Sequence, residues 1–210
     1  MITKVCGMRD PANIRAIEAL GVDWLGLIFY PPSPRYVSTK PDYLPQRAKS
    51  VGVFVDADIT TITRKVADYG LRLVQLHGNE SPDQCRELKN AVPEIDIIKA
   101  FSIKDAGSLA ATKPYEDCGA VAYFLFDTCC PGKGGSGQTF DHSLLHEYHG
   151  NIPFLLSGGL SPANAKEVKA ITHPMLIGYD LNSRFETAPA VKDPGLVKQF
   201  ITIGHQTFHT

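Results

Sequence analysis

Pro153-Phe154-Leu155-Leu156-Ser157-Gly158-Gly159-Leu160-Ser161-Pro162 holds one complete unit of the fold in miniature. A short apolar run is followed by a glycine turn. A Ser-Pro pair then sets an N-cap residue before a proline at the first helical position, where its missing N–H costs nothing. Asp10-Pro11 and Ser81-Pro82 repeat that signal closely behind other apolar runs. Runs rich in Val, Ile, Leu and Phe begin near residues 2, 23, 51, 73, 96, 121, 153 and 175. Each spacing is long enough for a helix and two loops and too long for a hairpin. Ala12 to Leu20, Ile59 to Tyr69, Asp83 to Asn90, Ala163 to Ile171 and Asp193 to Ile203 mix apolar and charged residues at amphipathic-helix spacing. The repeating unit reads as strand then helix, eight times.

Eight such units predict an α/β fold, a (β/α)8 TIM barrel formed as a single domain over residues 1–210. The chain of 210 residues is compact beside the usual barrel of about 250, whose lower bound lies near 200. A doubly wound open sheet is the competing architecture. It calls for a Gly-x-Gly-x-x-Gly turn after the first strand, and Cys6-Gly7-Met8-Arg9 does not supply one.

Composition narrows the function classes. Lys+Arg 21 against Asp+Glu 22 lacks the basic excess of a protein that neutralises nucleic-acid phosphates, so no nucleic-acid partner is expected. No apolar stretch approaches the roughly 18 to 20 residues of a membrane span, and Met1 to Cys6 carries no secretory leader. A cytoplasmic location without membrane contact is the expectation. Five cysteines, Cys6, Cys85, Cys118 and the adjacent Cys129 and Cys130, form no even framework and read as reduced thiols.

In a (β/α)8 barrel, chemistry gathers at the C-terminal ends of the strands. The residues that stop each apolar run are therefore the candidates. Gly158 and Gly159 after strand seven, with Asn182 and Ser183 after strand eight, place exposed amides and a hydroxyl side by side before a helix start, an arrangement suited to phosphate. A double glycine by itself reads as a strand-to-helix turn; its position after strand seven makes it an anion site. Cys6 ends strand one. Packed in a core it would be a small hydrophobe, but at the barrel mouth it is a candidate reactive thiol. By strand parity Lys4 shares its side, and an ammonium there is expected to lower the thiol from its reference near 8.5. Asp127 ends strand six, either as a loop cap or as a catalytic carboxyl. Arg35, framed by Pro34 and Tyr36, suits a bidentate grip on a carboxylate. A surface salt bridge is the plainer alternative.

Two motifs are rejected. Gly132-Lys133-Gly134 lacks the Ser or Thr and the upstream glycine of a phosphate loop for nucleotides. His142, His146 and His149 fall at helical spacing, but Cys129-Cys130 has no Cys-x-x-Cys partner, and no metal site is expected.

Several pieces in chain order carry a family resemblance: Lys4-Val5-Cys6-Gly7, Gly26-Leu27-Ile28-Phe29-Tyr30, Ser33-Pro34-Arg35-Tyr36-Val37, Val51-Gly52-Val53-Phe54-Val55 and Gln75-Leu76-His77-Gly78. Phe126-Asp127-Thr128, Gly134-Gly135-Ser136-Gly137, Ser157-Gly158-Gly159-Leu160 and Asp180-Leu181-Asn182-Ser183 complete the set. With these the chain resembles the phosphoribosylanthranilate isomerases of tryptophan biosynthesis over nearly its whole length. The resemblance implies an Amadori rearrangement of a phosphosugar substrate by general acid–base catalysis, with no cofactor and no metal. It implies Asp127 as the acid for the ribose ring oxygen and Cys6, as thiolate, as the base for the C2 proton. Arg35 would hold the anthranilate carboxylate, His77 and Asp180 would line the sugar and aryl pocket, and Gly158, Gly159, Asn182 and Ser183 would bind phosphate. The family often reads Asp-x-Ser-Ser-Gly-x-Glu after strand eight, whereas this chain has Asp180-Leu181-Asn182-Ser183-Arg184-Phe185-Glu186, with Asn182 at the first serine and Arg184 in place of the glycine. Arg184 either faces the phosphate or points to solvent.

Other phosphate-binding barrels share the strand seven and eight loops. An indole-glycerol-phosphate synthase would want a catalytic Lys and Glu at strand ends, and a ribulose-phosphate epimerase metal-binding His and Asp. A catalytically silent phosphosugar-binding barrel is the rival from another class. Activity on the histidine-pathway aminoaldose, which undergoes the same rearrangement, stays open, as does the choice between monomer and homodimer.

Overall fold

Strand β1 (Ile2–Val5) pairs in parallel with β2 (Trp24–Ile28) on one side and with β8 (Leu176–Leu181) on the other, so the sheet has no free edge. Between them run β3 (Lys49–Phe54), β4 (Leu73–Leu76), β5 (Asp96–Ser102), β6 (Tyr123–Asp127) and β7 (Phe154–Ser157), closing an eight-stranded parallel barrel. The computed structural model describes residues 1–128 and 142–203. Cys129, Cys130, the glycine-rich stretch at 134–137, Gly132-Lys133-Gly134 and the tail from 204 lie outside the described residues, as does the side chain of His142. Each strand starts within two residues of its sequence-read position.

The runs are almost wholly apolar because both faces of the sheet are buried. Alternate residues divide between two cores. Cys6, Trp24, Ile28, Val51, Val53, Leu73, Ile98, Leu125 and Leu155 fill the barrel interior, while Val5, Leu25, Leu27, Phe54, Val74 and Leu156 pack outward against the helices. The helices are α1 (Pro11–Glu18), α2 (Ile59–Tyr69), α3 (Pro82–Ala91), the short α4 (Ala106–Ala110) and α5 (Lys113–Asp117), α6 (Ala165–Lys169) and α7 (Pro194–Thr202). The Asp-Pro and Ser-Pro starts of α1 and α3 act as read. Asp10 accepts from the amide of Asn13 at 2.7 Å, and Ser81 and Gln84 bond reciprocally. Among the described residues no helix is long and apolar enough to cross a membrane.

Among the described residues the strand-then-helix rule weakens in three places, one of them between β6 and β7, where they form only the 3-10 segment His142–Glu147. Residues 29–48, between β2 and β3, form no helix. Pro31, Pro32, Pro34, Pro41 and Pro45 remove amide donors and clash with preceding turns. Glu18 anchors this loop instead, its Oε1 accepting the amides of Gln46, Arg47 and Ala48 and its Oε2 the Tyr43 hydroxyl. The helix expected from Ala163 to Ile171 is a single 3-10 turn (Pro162–Asn164) followed by the five-residue α6. After β8 the chain forms an unforeseen antiparallel pair, β9 (Glu186–Ala188) and β10 (Val191–Lys192).

Candidate active site

The inward face of β1 carries Lys4 and then Cys6, whose amide donates to the Leu181 carbonyl at 2.9 Å. Gly26 on β2 makes room for the sulfur, since a Cβ there would come within 2.8 Å of Cys6 Sγ. On the other side, register places Asp180 beside Lys4, and their side chains meet at 2.7 Å (Nζ to Oδ2) with both buried. A register irregularity between β7 and β8 opposes Leu155 to Gly178 after Phe154 pairs with Leu176. The slip lets Ile177 pack into the barrel interior and Asp180, three residues on, still turn inward, which strict alternation forbids. Gly178 is required there, because a Cβ would lie 2.3 Å from the Ile2 carbonyl oxygen.

Burial dominates the electrostatics of this trio. It pushes the Cys6 thiol up, Asp180 adds to that, and Lys4 and Lys192 pull the other way without prevailing. The expected lowering of the thiol by Lys4 is therefore corrected. Lys4 acts in the expected direction, but desolvation of a fully enclosed sulfur is the larger effect. Burial likewise raises the Asp180 carboxyl against the pull of Lys4. For Lys4, burial would lower the ammonium, but the facing Asp180 and Cys6 together raise it. Asp180 Oδ1 has no hydrogen-bond partner although it is buried.

Across the mouth, His77 follows β4 and Asp127 ends β6. His77 Nε2 lies 3.9 Å from Asp127 Oδ2, while its Nδ1 meets the Gln75 amide nitrogen at 2.8 Å. With the amide donating, the ring proton is assigned to Nε2, toward Asp127. Burial lowers the His77 imidazole below its ordinary 6.5, although Asp127 opposes the shift. The ring is thus neutral at pH 7.

Gly158 and Gly159 follow β7 with φ of +89° and +65°, a conformation that costs glycine little and side-chain-bearing residues much. Asn164 pins this loop. Its Oδ1 accepts the Ser161 amide at 2.8 Å and its Nδ2 donates to the Gly159 carbonyl at 3.0 Å. The helix behind the loop is short, so the loop amides, more than a helix dipole, supply the attraction for an anion.

Arg35 is already half committed. Its Nε and Nη2 donate side-on to Glu186 of β9 at 2.8 and 2.6 Å, which leaves Nη1 and the end-on edge for a ligand carboxylate. Lys192 of β10, fully buried, donates to the same Glu186 and to Asn182 Oδ1, the latter at 2.8 Å. Because an ammonium only donates, this contact fixes the Asn182 amide with its NH2 as the remaining donor. Burial would raise the Glu186 carboxyl, but hydrogen bonds from Arg35 and Lys192 hold it below its ordinary 4.5. Gly7, at φ +79°, allows Arg35 to lie across it, since a Cβ would meet Arg35 Cδ at 2.6 Å.

One cleft of about 390 Å³ gathers Cys6, Asp127, Arg35, His77, Asp180, Gly158, Gly159, Asn182 and Ser183, and with them Arg184. All candidate residues of the sequence reading are thus brought together. Arg184 is exposed and at the rim. Sequence reasoning missed Glu186, Lys192 and Asn164. A lysine just before the Asp193-Pro194 helix start carries the signature of a solvated residue, and nothing in the sequence marks it as buried.

Known proteins share the sequence and the fold. The family model for N-(5'phosphoribosyl)anthranilate (PRA) isomerase matches residues 3–203. A relative from Phocaeicola vulgatus, named N-(5'-phosphoribosyl)anthranilate isomerase, is 51% identical over 201 residues, covering 96% of both chains. The crystal structure of phosphoribosyl anthranilate isomerase from Thermotoga maritima superposes with a TM-score of 0.81 at 30% identity, covering 99% of this chain and 100% of that one. A second crystal structure of such an enzyme, in complex with reduced 1-(o-carboxyphenylamino)-1-deoxyribulose 5-phosphate, gives 0.78 at 27% over the same shares.

Proposed function

Because the chain belongs to the N-(5'-phosphoribosyl)anthranilate isomerase family, we propose that Asp127 and Cys6 are the acid and base of its reaction. The protein is an isomerase of tryptophan biosynthesis that rearranges N-(5-phosphoribosyl)anthranilate to 1-(o-carboxyphenylamino)-1-deoxyribulose 5-phosphate. The observation that supports the assignment is the single cleft in which a carboxyl, a thiol and a glycine loop face one another.

In this reading Asp127 gives a proton to the ribose ring oxygen as the C1–O bond breaks, and the nitrogen lone pair forms a C1=N iminium. The Cys6 thiolate takes the C2 proton, and that electron pair neutralises the iminium as an enamine. The enol then tautomerises, C1 gaining a proton and the 2-hydroxyl losing one. The proton gained by Cys6 balances the one given by Asp127, and exchange with solvent restores both groups before the next turnover. The scheme uses no cofactor and no metal. Phosphate is held by the Gly158 and Gly159 amides, Asn182 and Ser183, the anthranilate carboxylate by the end-on edge of Arg35, and the sugar and aryl groups against His77 and Asp180. Neutral His77, with its Nε2 proton toward Asp127, orients that carboxyl without competing for its proton. The three described cysteines are free, in keeping with a reducing cytoplasm, and the barrel acts as one catalytic domain, as a monomer or a homodimer.

The test follows conversion of the fluorescent substrate. Each of Cys6→Ala and Asp127→Asn is expected to lose about 10²- to 10⁴-fold in turnover. A wild type that binds a product analogue without turnover would refute the assignment, as would a variant that keeps full rate.

A further inference from the structure

Lys4 is the one fully buried cation inside the barrel wall among the described residues that touches the proposed base. An ammonium has three protons to donate, and Lys4 turns them to Asp180 Oδ2 at 2.7 Å and to the Cys6 sulfur. The carboxylate is under-used, since Asp180 lines the cleft while its Oδ1 is buried with nothing donating to it. Buried polar atoms are nearly always satisfied, and each exception asks for a reason. Strand geometry supplies one. Lys4 and Cys6 are two apart on β1 and share its inward face, while Asp180 lies opposite Lys4 on β8. One cation therefore stands between two groups that can each carry a negative charge.

We propose that Lys4 is a positioning residue whose single charge is shared between the Asp180 carboxylate and the Cys6 thiolate, and that a substrate N–H or O–H donor reaching Asp180 Oδ1 shifts it toward the sulfur. Before substrate binds, Asp180 holds the ammonium and the thiol keeps its proton. A donor on Oδ1 satisfies part of the carboxylate's charge, weakens its hold on Lys4 and leaves the ammonium to stabilise the thiolate. The thiol proton leaves to solvent through the open cleft, so that the sulfur is ready for the C2 proton. The base is thereby armed only when there is something to deprotonate. Other charges facing Cys6 are Lys192 from β10 and Arg35 from the loop after β2, both tied to Glu186, while His77 and Asp127 face the pair from β4 and β6. None of these bonds Asp180 Oδ1.

The inference rests on Cys6 being the base, but its test needs no turnover. The thiolate of Cys6 is titrated by its ultraviolet band as the difference from a Cys6→Ala chain, and independently by the pH dependence of iodoacetamide labelling read on the Cys6 peptide. Asp180→Asn frees Lys4 and is expected to lower the thiol titration by about one unit or more; Lys4→Met is expected to raise it by a similar amount. A purely structural role moves both variants the same way or neither. If Lys4→Met fails to fold, Asp180→Asn alone decides, and no downward shift in it overturns the proposal. A second arm adds reduced 1-(o-carboxyphenylamino)-1-deoxyribulose 5-phosphate. The analogue should move the thiol of the parent downward relative to its effect on Asp180→Asn, and equal effects on both would overturn the substrate-driven step. A parent that shows these shifts but does not isomerise substrate would instead refute the functional reading.

Discussion

Among the described residues, two lysines of the barrel strands, Lys4 and Lys99, are buried beside carboxylates and are satisfied to opposite degrees. Lys99 on β5 meets Glu80 at 3.1 Å and also the carbonyls of Leu76, Gly78 and Ala100. Glu80 in turn accepts the amides of Asp56 and Gly78. Lys4 has Asp180 and faces Cys6, and half of the Asp180 carboxylate accepts nothing. Both pairs bear the desolvation cost of buried charge. The Lys99 cluster offsets that cost with bonds that tie the ends of β3, β4 and β5 together, so its role is architectural. The Lys4 pair leaves part of it unmet at the mouth of the cleft. Unmet hydrogen-bonding capacity, more than burial or charge, separates the working pair from the structural one.

The comparison breaks most visibly on removal of the charges. Lys99→Met strands Glu80 and three carbonyls, and about 3–5 kcal/mol of unfolding free energy should disappear in urea melts, with the rate per folded molecule unchanged. The uncharged pair Lys4→Met with Asp180→Asn should show the reverse. Its melting midpoint should stay level or rise, because replacing a poorly satisfied ion pair is often neutral or stabilising, while turnover drops by about 10²-fold. Equal stability losses in the two cases would erase the distinction.

The Arg35, Glu186 and Lys192 cluster lies between these extremes, with a satisfied carboxylate and a half-used guanidinium. Glu186→Gln loosens the side-on fork that aims Arg35, and about a tenfold rise in KM with a smaller change in kcat is expected, the energy of one charge-assisted hydrogen bond. Its effect on stability carries a definite sign in pH. The Glu186 carboxyl is lower in the fold than its ordinary 4.5, so its contribution is present above that value and is lost as pH falls through the folded-state value. Thermal melts of parent and variant should therefore differ most above pH 4.5 and converge in more acidic buffer. A gap that widens on acidification would contradict the network.

What could be read in advance follows the range of the interactions. Strands buried on both faces write themselves as apolar runs, and Asp10-Pro11 and Ser81-Pro82 announce helix starts through contacts three residues away. The cleft residues were legible because barrel geometry puts every strand end in one place. The Lys4–Asp180 pair spans 176 residues and the Arg35–Glu186 fork 151, and both depend on how β8 closes on β1 and how the chain turns beyond it. Parity placed Lys4 beside Cys6 but could not reveal that full burial of the sulfur outweighs the pull of Lys4, or that Asp180 claims the same cation. The slip between β7 and β8 that turns Asp180 inward leaves no trace in the hydrophobic pattern. The strand-then-helix repeat failed between β2 and β3 where prolines override spacing, a signal present in the sequence but outweighed there by the regular strand intervals.

Arg184 sharpens the argument from its weak end. It occupies a turn position where the family often has glycine, lines the cleft beside Gly158 and Ser183, and is exposed. Being exposed, it resembles neither buried lysine and should act only as a screened charge near the phosphate. Arg184→Ala is expected to raise KM by about two- to fivefold in dilute buffer, the range of an exposed ion pair, with kcat unchanged. In about 1 M salt, where screening reaches about 3 Å, the difference should vanish. A KM effect that survives salt would mean that the guanidinium is desolvated against the phosphate when substrate is bound, and would move Arg184 from the rim into the same class as Arg35.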